Sequence, residues 1–338
     1  MKFIRLAAAL VVLAVVAPLA DAQTVADKEL AALKELYRRP VPQPIDNKEF
    51  VELGRELFFS PQLSASGNTA CASCHFPQLG YGVTDAKSKN DAGKLTSRKS
   101  QPLIGIGYAG SAPVGWDGKS ATLEDQAMAS IATGSMSLQG TEKPVKTEAI
   151  VDRFKNDAAF VAKFEKVMPG AAMGIDALVK AVAAYERTLE PGVAPFDRWV
   201  AGDEQAISGP AKRGFVLFNG KANCGPCHSG WRFTDDNFHD IGTTTMDEGR
   251  GRIVKDDPLM KFAFKTPTLR SVHLRPPYMH NASAATLEDV IRHYEKGGID
   301  RPSRSPLMTA FELTDQERQD LIAFLNTLDG QNATAQAQ

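Results

Sequence analysis

The pentapeptide Cys71-Ala72-Ser73-Cys74-His75 recurs as Cys224-Gly225-Pro226-Cys227-His228, and the two copies together use all four cysteines of the chain. In an exported protein, C-x-x-C-H is the attachment signature of a c-type haem. The thiols of Cys71 and Cys74, and of Cys224 and Cys227, add across the haem vinyl groups, and the adjacent His75 or His228 turns a ring nitrogen to the iron. The competing readings are a zinc site or two short-loop disulfides. Zinc pairs rarely stand so far apart, and a disulfide gives the following histidine no purpose. A chain carrying this pair has to wrap two covalently held haems.

The start of the chain supplies the export that this chemistry needs. Lys2 and Arg5 form a charged opening, Leu6 to Ala17 an apolar run, and Ala20-Asp21-Ala22 a cleavage site, so residues 1–22 are expected to be a signal peptide. The run is short for a bilayer span, and no later stretch is long and apolar enough for one. A periplasmic protein with no membrane span after cleavage is expected. With a net charge of -1, the chain gives no electrostatic case for nucleic acid.

Periodicity divides the rest into helices. Asp27 to Arg38 is helical in pattern and Pro40, Pro42 and Pro44 follow as an extended connector. Apolar residues at helical spacing from Asn47, with Gly54, Leu57 and Phe58, precede the first haem motif. Gly214, Leu217 and Phe218 repeat that spacing before the second. Ile150 to Phe164 and Ile175 to Leu189 each read as one helix, and Thr314 with Glu317 forms a capping box before a last helix. No strand-rich region is expected. The fold class is therefore mainly α: two cytochrome c-like helical domains, each with one covalently attached c-type haem. An N-terminal segment over 23–46 leads into the first at 47–200, the second covers 201–330, and 331–338 is a frayed tail.

A second repeat works as a ruler. Ala121-Thr122-Leu123-Glu124-Asp125 returns as Ala285-Thr286-Leu287-Glu288-Asp289, and laying one on the other puts Tyr294 over Ser130. A phenol reaches iron and a hydroxymethyl does not. Six ligands are expected at the second haem and a vacant position, open to peroxide, at the first. Histidine placement agrees: of the six, none lies between His75 and His228. Met128 and Met136 are the remaining soft candidates on the first side, and His293 is the neighbouring alternative to Tyr294.

These residues resemble the di-haem cytochrome c peroxidase and MauG superfamily from about Asn47 to Leu328. The marks are Leu63-Ser64, Trp116-Asp117-Gly118 with Leu123 and Gln126, Tyr185-Glu186-Arg187-Thr188-Leu189, Phe196-Asp197-Arg198, Phe264 to Arg270, Pro277-Tyr278-Met279-His280 and Tyr294. The resemblance implies that His75 serves a peroxide-binding haem and His228 an electron-transferring one. It also implies that Trp116 couples them, that Gln126 donates a hydrogen bond in the distal pocket, and that Tyr294 is the second iron's axial ligand, as in MauG-like members. It implies a calcium ion bound through the backbone carbonyls of Arg275 and Pro277, although Gly105 or a near neighbour stands where the family has an asparagine.

One departure bears on activity. Met136 occupies the place of the family's distal glutamate, and a thioether carries no proton, whereas general acid–base help is worth roughly 10²–10⁴ in rate. The expected function is a periplasmic di-haem oxidoreductase using hydrogen peroxide, or dioxygen plus electrons, and oxidising a small redox protein (a c-type cytochrome or cupredoxin) or a protein-borne substrate, as monomer or homodimer. Tyr294 favours the MauG-like branch. The competing reading is a non-catalytic di-haem electron-transfer cytochrome.

Overall fold

A computed structural model of the chain describes residues 19–330 apart from 43, 139, 142 and 143. Most of the expected signal peptide and the tail over 331–338 lie outside the described residues. Ten α-helices are described: α1 (Leu19–Leu36), α2 (Lys48–Phe59), α3 (Leu123–Ala132), α4 (Thr147–Lys155), α5 (Ala158–Val167), α6 (Ile175–Glu186), α7 (Pro195–Val200), α8 (Gly209–Asn219), α9 (Leu287–Glu295) and α10 (Asp315–Leu325). Sheet is confined, among the described residues, to β1 (Phe238–His239) paired antiparallel with β2 (Phe264–Lys265). The mainly helical fold class stands, and among the described residues no helix is long and apolar enough to cross a membrane.

Two helix crossings organise the cores. Asn47 caps α2 by accepting from the Phe50 amide at 2.9 Å, and the buried face of Leu53, Gly54, Leu57 and Phe58 lies against α6. A Cβ added at Gly54 would sit 1.9 Å from the Ala181 carbonyl oxygen, so only glycine permits this approach. In the second half, a Cβ at Gly214 would fall 2.0 Å from the Asp320 carbonyl oxygen, where α8 crosses α10. The large apolar side chains sealed at these crossings, Phe58 and Phe324 among them, each contribute about 1.5–3 kcal/mol by leaving water.

The structure revises three expectations. The single helix over Ile150 to Phe164 is two, because the Asp157 carboxylate accepts from the Ala159 and Phe160 amides at 3.0 and 3.1 Å and starts α5 afresh. The helix expected to reach Leu189 ends at Glu186, where the chain tightens into a turn with the Thr188 hydroxyl on the Tyr185 carbonyl at 2.7 Å. The first helix begins at Leu19 rather than Asp27. Just past α1, Tyr37 is buried in the second core, stacked 4.9 Å from Phe233 and donating to Asn219 at 2.5 Å. The second core is tied further by Arg270, fully buried, whose guanidinium spans the Asp197 carboxylate at 3.0 and 2.8 Å.

Candidate functional site

Each C-x-x-C-H motif ends beside a cavity, and the two histidines are oriented by the same device. His75 Nδ1 lies 3.0 Å from the Tyr81 carbonyl oxygen and His228 Nδ1 2.8 Å from that of Phe233. Tyr81 and Phe233 both adopt left-handed backbone conformations, φ 54° and 55°, which turn their carbonyls back toward the rings. Burial lowers both imidazole pKa values and favours the neutral form. With Nδ1 held by a carbonyl, Nε2 is left as the lone-pair donor, the arrangement a haem iron requires. All four cysteines are unpaired, and each pair stands beside its histidine. These residues fit two covalently attached haems.

The first cavity is lined by His75, Trp116, Gln126, Ser130 and Glu186 among others. Among the described residues lining it there is no second histidine and no methionine. Met136 is turned away: it is buried in the first core with its sulfur 3.8 Å from Cys71 Sγ, and Met128 packs against the same core. The carboxyl that faces the cavity from α6 is Glu186, 8% exposed. Burial pushes its pKa up to about 8, with Arg187 opposing and Glu124 reinforcing the shift. Arg187 is itself committed to Glu124 from α3, through two contacts of 2.8 Å. A carboxyl protonated at neutral pH thus faces the first cavity. Nothing in the local sequence distinguishes Glu186 from an exposed helix glutamate.

The second cavity is lined by Cys224, Cys227, His228, Val290 and Tyr294. Burial raises the Tyr294 phenol above its ordinary pKa. His293, the neighbouring alternative, is engaged elsewhere, its Nε2 lying 2.8 Å from the Ile241 carbonyl oxygen. Cys227, Asp235 and His239 also stand close enough to hold an ion, but thioether formation at Cys227 removes the thiolate that such a site needs.

The repeat extends further than its five letters. Thr122 and Asp125 form a reciprocal capping box on α3, and Thr286 and Asp289 form the same box on α9. Ahead of each helix, a single bridge joins Val114 to Ser120 and Tyr278 to Ala284. The offset that lays α9 on α3 also lays His280 on Trp116, and these two rings meet edge to face with centroids 6.2 Å apart. Trp116 borders both cavities. Its indole Nε1 donates to the Lys99 carbonyl at 2.7 Å, and its own carbonyl accepts from the Lys265 amide at 2.8 Å. The turn after it is gripped from the second half, with Arg98 bridging Asp117 at 2.7 Å and Asp247 at 2.6 Å. Arg250 donates to the Asp117 and Gly118 carbonyls at 3.0 and 3.2 Å. Gly105, Arg275 and Pro277 lie along the same seam, Gly105 bordering the first cavity and the other two the second.

Residues 48–205 match the di-haem cytochrome c peroxidase family and residues 211–329 match cytochrome c. The chain is 41% identical to methylamine utilization protein MauG of Methylorubrum extorquens, over 90% of this chain and 87% of that protein. It is 32% identical to cytochrome-c peroxidase IdrP1 of Denitromonas iodatirespirans, over 86% of this chain and 84% of the relative. Among solved structures, a MauG-like protein associated with microbial copper homeostasis superposes with a TM-score of 0.75 at 28% identity, covering 87% of this chain and 93% of that one.

Proposed function

The chain belongs to the di-haem cytochrome c peroxidase family and is an oxidoreductase of that type carrying c-type haem, and from that premise we propose that its two sites divide the work unequally. Bound at these sites, the haems supply peroxide reduction at the first and electron transfer at the second. The observation that carries this reading is the contrast between Ser130 and Tyr294, which take matching places on α3 and α9 and border matching cavities. His75 would hold the haem of the first site, and α3 presents Gln126 and Ser130 to the same cavity. This leaves room for hydrogen peroxide, or for dioxygen with electrons supplied. Gln126 orients an incoming oxygen through its amide. Glu186 holds a proton on its carboxyl at the cavity wall, a role the Met136 thioether cannot take. At the second site His228 and Tyr294 line the same cavity and would both hold the haem iron, and a phenolate there would favour the oxidised state.

Trp116, between the cavities, couples them. The substrate is a small redox protein such as a c-type cytochrome or cupredoxin, or a residue on a protein, as in the MauG-like branch that Tyr294 favours. The signal peptide read over residues 1–22 supports a periplasmic location.

The test is the ferric absorption and EPR spectrum. One high-spin haem that binds cyanide and one low-spin haem are expected, with Tyr294→Phe altering only the low-spin signal and leaving haem content intact. Two low-spin signals in the unaltered protein would instead establish the second reading, a non-catalytic di-haem electron-transfer cytochrome, which the loss of a carboxylate at Met136 favours.

A further inference from the structure

The family resemblance brings an expected calcium ion to the seam between the sites, and the residues there do not fit one. Calcium takes six to eight oxygens, with carboxylates or side-chain amides among them. At Gly105, which has no side chain to offer, the space a Cβ would fill faces the Arg232 side chain, 3.5 Å from Cδ and 3.9 Å from Nε. Arg275, one of the two carbonyl donors expected, brings its own buried guanidinium, which donates to the carbonyls of Thr268, Arg270 and Ser271 at 3.3, 2.7 and 3.0 Å. A second buried cation is Lys99, 6% exposed and bordering both cavities. Its Nζ donates to the Val83 and Asp85 carbonyls at 2.6 and 3.1 Å. The carbonyls of Val83, Asp85, Thr268, Arg270 and Ser271 already serve an ammonium and a guanidinium, and a divalent cation placed in this seam would meet like charge.

The main chain of Lys99 does a second job. Its amide donates to the His280 carbonyl at 2.8 Å, and its carbonyl accepts from the Trp116 indole at 2.7 Å. One residue therefore pins both members of the ring pair that meets between the cavities. We propose that Lys99 is a built-in cation that takes the place of a divalent metal ion in this seam, and a positioning residue that fixes Trp116 against His280. Burial and the neighbouring Arg275 bring the ammonium down to about 8, with Asp85 opposing, so it stays charged at neutral pH. The positioning half rests on the reading that Trp116 couples the sites; the metal half does not.

The experiment uses the holoprotein. After equilibration with calcium chloride and desalting, metal analysis is expected to find no stoichiometric calcium, and EGTA is expected to leave both haem spectra unchanged. One calcium per chain, whose removal alters the spectra, would overturn the metal half. This measurement needs no variant to fold. Electron exchange between the haems, followed after flash reduction, is expected to slow roughly tenfold in Lys99→Gln, the scale at which packed residues between sites set coupling. Lys99→Gln removes the charge that anchors this main chain to the Val83 and Asp85 carbonyls, so Lys99→Arg, which keeps that charge, should recover most of the rate. Exchange in Lys99→Gln as fast as in the unaltered protein overturns the positioning half. Fast exchange in Trp116→Phe overturns the reading beneath it and leaves the calcium result standing.

Discussion

The two cavities share a frame and differ in what stands at matching places. Each has a histidine tied by Nδ1 to a carbonyl of a left-handed residue, and each faces a helix begun by a Thr–Asp capping box. On that common frame, the first cavity has Ser130, Gln126 and Trp116 where the second has Tyr294, Val290 and His280. Only the first is bordered by a buried carboxyl on a crossing helix, Glu186, among the described residues. The contrast teaches that one backbone frame can present two different sets of side chains to its cavity. A helix presenting a hydroxymethyl and an amide leaves a polar, open face, whereas one presenting a phenol and a valine closes it.

Glu186→Gln attacks the sharpest difference between the sites. Peroxide turnover is expected to fall by roughly 10²–10⁴, the worth of a general acid–base group, with the second haem's spectrum unchanged. Turnover in the unaltered protein should decline as pH rises through about 8, where Glu186 loses its proton, and the glutamine variant should lack that decline. Stability follows the same sign. The folded state keeps a proton that the unfolded carboxyl releases, so the contribution is fully present below the ordinary carboxylate range and lost as pH rises to about 8. Charge-matched Glu186→Gln that keeps full turnover would show that another group supplies the proton.

Smaller effects probe the shared frame. Gly54→Ala and Gly214→Ala each drive a methyl into a carbonyl oxygen, at 1.9 and 2.0 Å, and should each cost about 1–3 kcal/mol in thermal unfolding of the holoprotein. Clearly unequal costs would break the equivalence of the two crossings. Thr122→Ala and Thr286→Ala remove matching caps and should each cost about 1 kcal/mol by the same measurement.

What could be read ahead of the structure was local. The capping box at Thr314 was legible because residue types three apart report their own hydrogen bonds, and Thr122 and Thr286, each followed by acidic residues, suit the helix starts at which the structure closes the same box. Gly54 and Gly214 were legible because their spacing recurs. The break at Asp157 was not, because an aspartate inside an apolar period serves equally as a helix start or as a solvated side chain. Tyr37 gave no sign of joining the second core, whose sequence lies far downstream, and nothing beside Lys99 in the sequence marks its burial.

By itself, then, the sequence supplied two haem-attachment motifs ending in His75 and His228, and the repeat that sets Ser130 against Tyr294. Covalent attachment, capping and helical offset depend on neighbours a few residues apart, so they survive translation from letters to structure. Only the tertiary structure decided that Met136 packs on Cys71, that Glu186 faces the first cavity, and that Trp116, Lys99 and His280 meet between the sites. Those outcomes turn on desolvation and on which distant carbonyls are left to accept a buried donor, and these are settled when separated segments pack together.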